Sequence, residues 1–216
     1  MLEKLPDALG HALLHVRAGL DKVAFNQSGL RSGMGTLHVS SLAFADHMPI
    51  PERYTADGEG VSPPLQWSGV PANAASVVLI VEDADAPTPQ PLVHAIAVDL
   101  PPGEGSLPEG ALKSAGHEGQ HGVHEGRNSY LMAGWLPPDP PPGHGSHRYV
   151  FQLFALGAGE AFDGTPGRDA VLDAVRERGL ASGWLVGTYA RPDGTVKAGD
   201  EAGAGALAAS ATLPQI

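Results

Sequence analysis

The sequence of 216 residues contains no cysteine and few basic residues. The absence of cysteine excludes disulfide bonds, thiolate metal ligands and a cysteine nucleophile. Only four lysines are present, none in a basic cluster, and the formal net charge is −11 at neutral pH. Because nucleic acids and anionic membrane surfaces attract positive charge, neither is expected as the main partner. A small anionic ligand stays compatible with this charge, because a local pocket can oppose it.

Long apolar runs are absent as well. No window reaches the roughly 18 apolar residues that a membrane-spanning helix requires, and residues 1–10 lack the apolar core of a signal peptide. We therefore expect a soluble, cytoplasmic protein without a membrane span. Hydrophobic residues make up 42% of the chain and charged residues 17%, proportions that are typical of a globular domain. The 29 glycines and 20 prolines favour turns over long helices.

A helical pattern lies near the N-terminus, in residues 7–25. The apolar residues there follow a 4-3-4-3 spacing, which predicts one helix with an apolar stripe. The stripe consists of Leu9, Leu13, Val16, Leu20 and Val23. Gly10 and Gly19 would each weaken this helix by roughly 1 kcal/mol relative to alanine. The helix therefore needs a surface to dock on, which is either its own domain or a second copy of the chain in a homodimer.

The chain as a whole divides into three parts. Residues 1–36 are assigned to the N-terminal helix and a linker, residues 37–191 to a mainly β domain, and residues 192–216 to a tail rich in alanine and glycine. Within the domain we predict a helix at 168–179 and four strands, at 76–81, 92–98, 149–156 and 184–189. The first of these strands is nearly all apolar, which indicates burial of both its faces.

Two carboxylates, two imidazoles and a phenol lie near the ends of three predicted strands. His147 and Tyr149 are two residues apart and therefore on one face of a strand, and Asp83 and Asp85 have the same spacing. His94 interrupts an apolar row that is expected to share its face, formed by Leu92, Ile96 and Val98. An unpaired buried histidine costs on the order of 1–3 kcal/mol, so Asp83 or Asp85 is its expected hydrogen-bond partner.

Several short segments occur in the order and spacing of one known family. They are IPERYTADG (50–58), SPPLQW (62–67), DADAP (83–87), His94, the proline pair 137–138 and GSHRYVF (145–151). SPPLQW and GSHRY are the most specific of them. On these segments, residues 41–191 resemble the phosphatidylethanolamine-binding proteins, in particular their bacterial, Raf kinase inhibitor-like branch.

The resemblance implies a fold and a pocket. The fold is a large antiparallel β-sheet packed on a smaller sheet with a few peripheral helices, to which this chain adds its N-terminal helix. The pocket would bind phosphate-like or carboxylate anions. The residues that the resemblance assigns to it are Asp83, His94, His147 and Tyr149, with Asp85 and Pro87 shaping the loop. Donor imidazoles and a phenol can bind phosphate oxygens, and nearby carboxylates are expected to raise the pKa values of the histidines.

The sequence departs from the family pattern at the rim of this pocket. Ala84 stands where the family usually has proline, and Ala95 stands where an aromatic residue is common. The segment after Gly134, WLPPDPPPGHG, is longer and richer in proline than usual. These departures affect the expected ligand size and the shape of the rim rather than the fold.

Other chemical signals are weaker. His117 and His121 satisfy the His-Glu-x-x-His pattern of zinc proteases, but four glycines within twelve residues predict a loop instead of the required helix. His11 and His15 have helical i, i+4 spacing away from the apolar stripe, which favours a solvated face. We therefore expect neither a metal nor a cofactor.

Three functions are compatible with these observations. Non-catalytic binding of a small anion, such as a phosphorylated headgroup, a nucleotide or an acidic side chain, is favoured. A protein-interaction inhibitor of a kinase or protease that acts outside the pocket is the first alternative. A weak hydrolase, with His94 and Asp83 as its base, is the second, although no Gly-x-Ser-x-Gly motif is present.

Overall fold

Runs rich in valine, isoleucine, leucine and phenylalanine form the centre of a seven-stranded sheet. The computed structural model describes residues 7–29 and 35–191. The strands of this sheet are β1 (Gly35–Thr36), β3 (Met48–Pro49), β5 (Ser76–Asp83), β6 (Leu92–Leu100), β8 (His124–Glu125), β9 (His147–Leu156) and β10 (Gly179–Tyr189). The four predicted strands are confirmed, and each is longer than its apolar run. Their order across the sheet is β10-β9-β5-β6, and all neighbours are antiparallel.

A second sheet of three strands packs on the first. It consists of β2 (His38–Ser40), β4 (Leu65–Ser68) and β7 (Gly105–Leu107). The predicted arrangement of a large sheet on a smaller one is confirmed. The large sheet is mixed rather than purely antiparallel, because β1 and β3 pair in parallel with β10. Both are two-residue strands that reach the edge through loops, so no hairpin dictates their direction.

The central strand β5 is buried on both faces, as its apolar sequence predicts. Val77, Leu79 and Val81 face the core between the two sheets. Val78 and Ile80 face the other side, where they pack with helix α3 (Arg168–Arg178). The predicted helix at 168–179 is thereby confirmed, and the chain passes directly from it into β10 at Gly179.

The prediction of one continuous helix over residues 7–25 is wrong. The segment contains α1 (Asp7–Ala12), a 3-10 turn (Leu20–Lys22) and α2 (Ala24–Gln27), joined by an irregular stretch. Gly19 has a φ of 104°, which no helix accommodates. Its backbone N–H and that of Ala18 donate to the carbonyls of Ala84 and Ala86. These hydrogen bonds to the domain take the place of bonds within a helix. Residues 7–29 are called the N-terminal strap below.

The apolar stripe of the strap does not form one face. Leu9 and Val16 are exposed, whereas Val23 is fully buried. The strap packs on its own domain, and a homodimer through it stays a prediction. The boundaries of the three parts also stay predictions, since residues 30–34 of the linker and the tail 192–216 lie outside the described residues. Within the described ranges, no helix is long and apolar enough to cross a membrane.

Candidate functional site

A cavity of about 330 Å³ lies where β5 ends and β6 and β9 begin. The sheet register brings these strand ends together, because Asp83 pairs with Leu92 on one side and with Tyr149 on the other. The polar residues Asp83, His94, His147 and Asp139 line the cavity. Its remaining walls are mostly apolar and include Leu13, Pro87, Leu92, Leu136, Pro137, Pro140 and Pro141. The cavity is therefore a mainly apolar chamber with a few convergent polar groups.

The predicted site residues take three different positions. Asp83, Pro87, His94 and His147 line the cavity. Tyr149 is completely buried next to it, with its ring edge-on to His94 at a centroid distance of 5.0 Å. The carboxylate of Asp85 is instead bound by arginine side chains. The structure therefore brings the side chains of Asp83, His94, His147 and Tyr149 together and directs Asp85 elsewhere.

A β-bulge directs His94 toward the cavity. The register of β5 and β6 shifts at this point, since Val81 pairs with Ala95 but Glu82 pairs with Val93. His94 consequently packs beside Trp135 and Tyr149, while Ile96 and Val98 belong to the core on the α3 side. The predicted shared face of His94, Ile96 and Val98 is therefore wrong. One extra residue in a strand reverses the alternation on which that prediction relied.

The hydrogen bonding of His94 identifies its tautomer. Nδ1 lies 2.6 Å from the carbonyl oxygen of Leu136. A carbonyl can only accept a hydrogen bond, so Nδ1 carries the proton and donates it. Burial lowers the pKa of His94 below its ordinary value, although the neighbouring Asp83 acts in the opposite direction. The ring is therefore neutral, and Nε2 is a bare acceptor that is buried without a partner in the described part of the chain.

Two predictions about His94 are corrected by this geometry. Its partner is the Leu136 carbonyl rather than Asp83 or Asp85, because the proline-rich segment folds over the ring. Its pKa is lowered rather than raised, since loss of hydration outweighs the attraction of the nearby carboxylate.

The carboxylate of Asp83 binds the second imidazole of the cavity, His147. Asp83 Oδ2 lies 2.7 Å from His147 Nδ1, and His147 Nε2 lies 2.6 Å from Nδ1 of His144. The chain of bonds ends in the N-terminal strap, where His144 Nε2 lies 2.7 Å from the carbonyl oxygen of Leu13. His144 is completely buried and was missed by the sequence reasoning. Its position three residues before His147 in the sequence HGSH was the available signal.

The three hydrogen bonds that link Asp83, His147, His144 and Leu13 require one proton more than two neutral imidazole rings supply. Three hydrogen bonds need three protons, and the Leu13 carbonyl contributes none. Burial lowers the pKa of His144, which keeps that ring neutral with its proton on Nε2. The additional proton therefore lies in the hydrogen bond that joins His147 and Asp83. Asp83, His144 and His147 together carry no net charge.

Two further acidic residues flank these histidines. Asp139, in the proline-rich segment, lines the cavity, and its Oδ1 lies 2.7 Å from Nη1 of Arg191. Asp85 Oδ2 lies 2.7 Å from Arg148 Nε, and Asp85 Oδ1 lies 3.1 Å from Arg17 Nη1 in the strap. Burial acts to raise the pKa of Asp85, but the hydrogen bonds from Arg148 outweigh it and hold this pKa below its ordinary value. Asp85 thus anchors the loop and the strap.

The hydroxyl of Tyr149 is a second buried group without a partner among the described residues. Burial raises the pKa of Tyr149 well above its ordinary value, and Asp83 adds to this effect. The hydroxyl therefore keeps its proton at any physiological pH. Together with His94 Nε2, it gives the site one acceptor and one hydroxyl group that the protein itself leaves unsatisfied.

The histidine-rich segment lies apart from this site. Residues 117–121 contain no helix, as the glycines predicted, and Ser114 and His117 bridge each other. His11 and His15 are both exposed on the strap. Over residues 7–29 and 35–191, no group of three histidine or acidic side chains is placed to hold a metal ion.

The fold is that of a two-sheet β protein with a small, mainly apolar cavity at one end of its central strands. The family model of the phosphatidylethanolamine-binding proteins matches residues 40–190. The chain belongs to this family.

Sequence and structure comparisons agree with the family match. The chain is 38% identical to a UPF0098 protein of Methanothermobacter thermautotrophicus over 157 residues, which are 72% of this chain and 99% of the relative. It resembles the structure of a phosphatidylethanolamine-binding protein homolog from Chlamydia trachomatis with a TM-score of 0.65 at 34% identity, covering 72% of this chain and 98% of that one. Escherichia coli YbcL is similar with a TM-score of 0.65 at 27% identity and the same two coverages. The N-terminal strap lies outside the region of the family match.

Proposed function

We propose that the protein is a non-catalytic receptor for small phosphate-type anions that carry an apolar group. The observation that supports this most is the pair of buried, unpaired polar groups at the cavity, His94 Nε2 and Tyr149 Oη. Leaving such a group unsatisfied costs about 1–3 kcal/mol. A ligand with several oxygens, one of which carries a hydrogen, would satisfy both groups, whereas an apolar ligand would satisfy neither.

The electrostatics of the cavity accommodate one negative charge on the ligand. Asp139 is paired with Arg191, and Asp83 shares a proton with His147. The acidic residues at the cavity are therefore locally balanced, despite the charge of −11 on the whole chain. The surrounding leucine and proline side chains suit an alkyl or aryl substituent of the ligand.

Two observations count against the hydrolase alternative. Asp83 does not orient His94, so the proposed base pair does not form in the predicted way. His147, which Asp83 does orient, already uses both ring nitrogens in hydrogen bonds.

Calorimetric titration with methyl phosphate tests the proposed function. We expect binding by the wild-type protein and a loss of about tenfold or more in His94→Ala, since one hydrogen bond to a charged group is removed. The matched control is His124→Ala, because His124 contacts Asp99 and Gly164 outside the cavity. It should bind like the wild type. Equal binding by His94→Ala and wild type, with the fold of both verified by circular dichroism, would contradict the proposal.

An exposed apolar tip at the rim of the cavity favours a second candidate function, inhibition of a protein partner such as a kinase or protease. Tyr130, Leu131 and Met132 are consecutive and exposed, and Leu131 has a φ of 61°. The buried side chain of Asn128 holds this conformation by accepting hydrogen bonds from the backbone of Tyr130 and Met132. Rigid exposed apolar residues are typical of contact surfaces.

A competition experiment separates the two candidates. If the tip is the contact surface, Leu131→Ser should abolish capture of the partner, while saturating methyl phosphate should leave capture unchanged. Capture that is blocked by methyl phosphate but insensitive to Leu131→Ser would place the contact at the cavity instead.

The cytoplasmic location stays a prediction.

A further inference from the structure

The hydrogen-bonding groups that face the cavity accept more readily than they donate. His94 presents the lone pair of Nε2, because its proton is on Nδ1 toward Leu136. His147 has no free N–H, since Nδ1 is directed to Asp83 and Nε2 to His144. Carboxylates of Asp83 and Asp139 face the same cavity and can only accept when ionised. A fully deprotonated oxyanion would find a proton on the Tyr149 hydroxyl but none on either imidazole facing it.

The position of the His94 lone pair makes this imbalance costly for a dianion. Nε2 would oppose a bare ligand oxygen, and two lone pairs at hydrogen-bond distance repel. A ligand oxygen that carries a hydrogen removes the conflict, because it donates to Nε2. The remaining oxygens then accept from Tyr149 Oη and carry the single negative charge.

We infer that the cavity selects an oxyanion that keeps one proton, the monoanion of a phosphate or phosphonate ester or acid, and receives that proton as a hydrogen bond at His94 Nε2. This inference rests on the proposed function and specifies the ionisation state of its ligand. It does not involve proton transfer, because the ligand keeps its covalent O–H bond.

The inference makes ligand binding depend on pH in a definite direction. The groups around His94 are Asp83 at the end of β5, His147 and Tyr149 on β9, and Asp139 with its partner Arg191 over the cavity. A phosphate monoester loses its second proton near pH 6. Above that pH the binding species falls tenfold per pH unit, and so does the apparent affinity. A control ligand without an ionisable proton is needed to separate this effect from any titration of the protein.

Methylphosphonate and methanesulfonate form a matched pair of ligands. At about pH 5.5 both carry one negative charge and have nearly the same size, but only methylphosphonate keeps an O–H group. Calorimetry with the wild-type protein should give methylphosphonate an affinity at least about tenfold higher, the equivalent of one hydrogen bond to a charged group. The preference should disappear as the pH is raised above the second ionisation of methylphosphonate.

The outcomes separate this inference from the proposed function. Equal affinity for the two ligands at about pH 5.5 would overturn the inference while leaving an anion receptor in place. Tighter binding of the methylphosphonate dianion at high pH would overturn it as well. If neither ligand binds at any pH, the proposed function fails and the inference fails with it. In His94→Leu, any remaining binding should no longer distinguish methylphosphonate from methanesulfonate.

Discussion

His94 is a neutral imidazole in a place where water cannot hydrate a charged one. Because burial lowers its pKa below the ordinary 6.5, the unfolded chain takes up a proton at a higher pH than the folded chain does. The contribution of neutral His94 to the free energy of unfolding is therefore complete above about pH 6.5 and decreases as the pH falls below that value. The slope is at most about 1.4 kcal/mol per pH unit for one group.

This predicts a pH-dependent difference between the wild type and His94→Gln in urea unfolding. As the pH falls below 6.5, the wild type should lose free energy of unfolding faster than the variant, which has no imidazole to protonate. His124→Gln is the control of opposite sign. The carbonyl of Gly164 and then the carboxylate of Asp99 raise the pKa of His124 above 6.5, so the wild type should gain free energy of unfolding relative to that variant as the pH falls toward 6.5 and keep a constant gain below it. Parallel pH profiles for the wild type and His94→Gln would contradict the account.

At the scale of single residues, the sequence predicted the members of the site better than their roles. Strand alternation was enough to bring His147 and Tyr149 to Asp83, because these strands are regular up to their ends. The tautomer of His94 depends on the carbonyl of Leu136, which arrives through an irregular proline-rich segment. His144 and Asp139 lie in that same segment. No periodicity applies to such a segment, and its side chains were therefore assigned no direction.

At the scale of elements, the N-terminal strap is part of the cavity wall. Leu13 lines the cavity, and its carbonyl ends the hydrogen-bond chain from Asp83. Arg17 reaches the carbonyls of His144 and Ser146 as well as the carboxylate of Asp85. The strap is thereby held by its backbone, its one arginine and the buried side chains at its C-terminal end, such as Val23, rather than by one continuous apolar helical face.

A substitution at Gly10 tests whether the strap depends on its close contact with the proline-rich segment. A Cβ at this position would lie 1.9 Å from the carbonyl oxygen of Pro142, which is far inside contact distance. Gly10→Ala should therefore lift α1 from the proline-rich segment and destabilise the protein by about 1–3 kcal/mol. Limited proteolysis with trypsin should then cleave after Arg17 faster than in the wild type.

The control for this variant lies on the same helix. Ala8 is exposed, so Ala8→Ser changes the sequence of α1 without a clash. Trypsin should cleave this variant after Arg17 at the same rate as the wild type. Unchanged stability and unchanged cleavage in Gly10→Ala would show that the strap does not pack closely on the segment.

The elements themselves were predictable where burial and periodicity agree. The apolar run of β5 could only be a buried strand or a buried helix, and its length and valine content favoured the strand. The strap has a helical spacing, but Gly19 and the hydrogen bonds of residues 18 and 19 to the domain outweigh that weak preference. Such tertiary bonds are not visible in a single sequence.

At the scale of the whole molecule, one face of the large sheet borders the cavity and the opposite face packs on the strap and α3. Asp83 is directed to the cavity, whereas Glu82 is completely buried on the opposite side. There Glu82 accepts hydrogen bonds from Ala24 of α2, from Gln152 of β9 and from Arg168 of α3. One carboxylate thus joins the strap, the sheet and the helix.

This arrangement predicts that stability and ligand binding can be separated. Glu82→Gln should lower the free energy of unfolding by about 3 kcal/mol, because it leaves Arg168 without its buried partner. Methyl phosphate binding to the folded protein should stay as in the wild type. The exposed Glu177 on α3 provides the control, and Glu177→Gln should change stability by less than about 0.5 kcal/mol. Equal stability of both variants would contradict the assigned role of Glu82.

The central claim is that the cavity between β5, β6 and β9 receives a phosphate-type anion. A crystal structure of the protein with saturating methyl phosphate tests it most directly. We expect the phosphorus atom inside the cavity, with one ligand oxygen about 3 Å from His94 Nε2 and another near Tyr149 Oη. A well-ordered ligand bound elsewhere on the surface, with the cavity holding no phosphate, would contradict it.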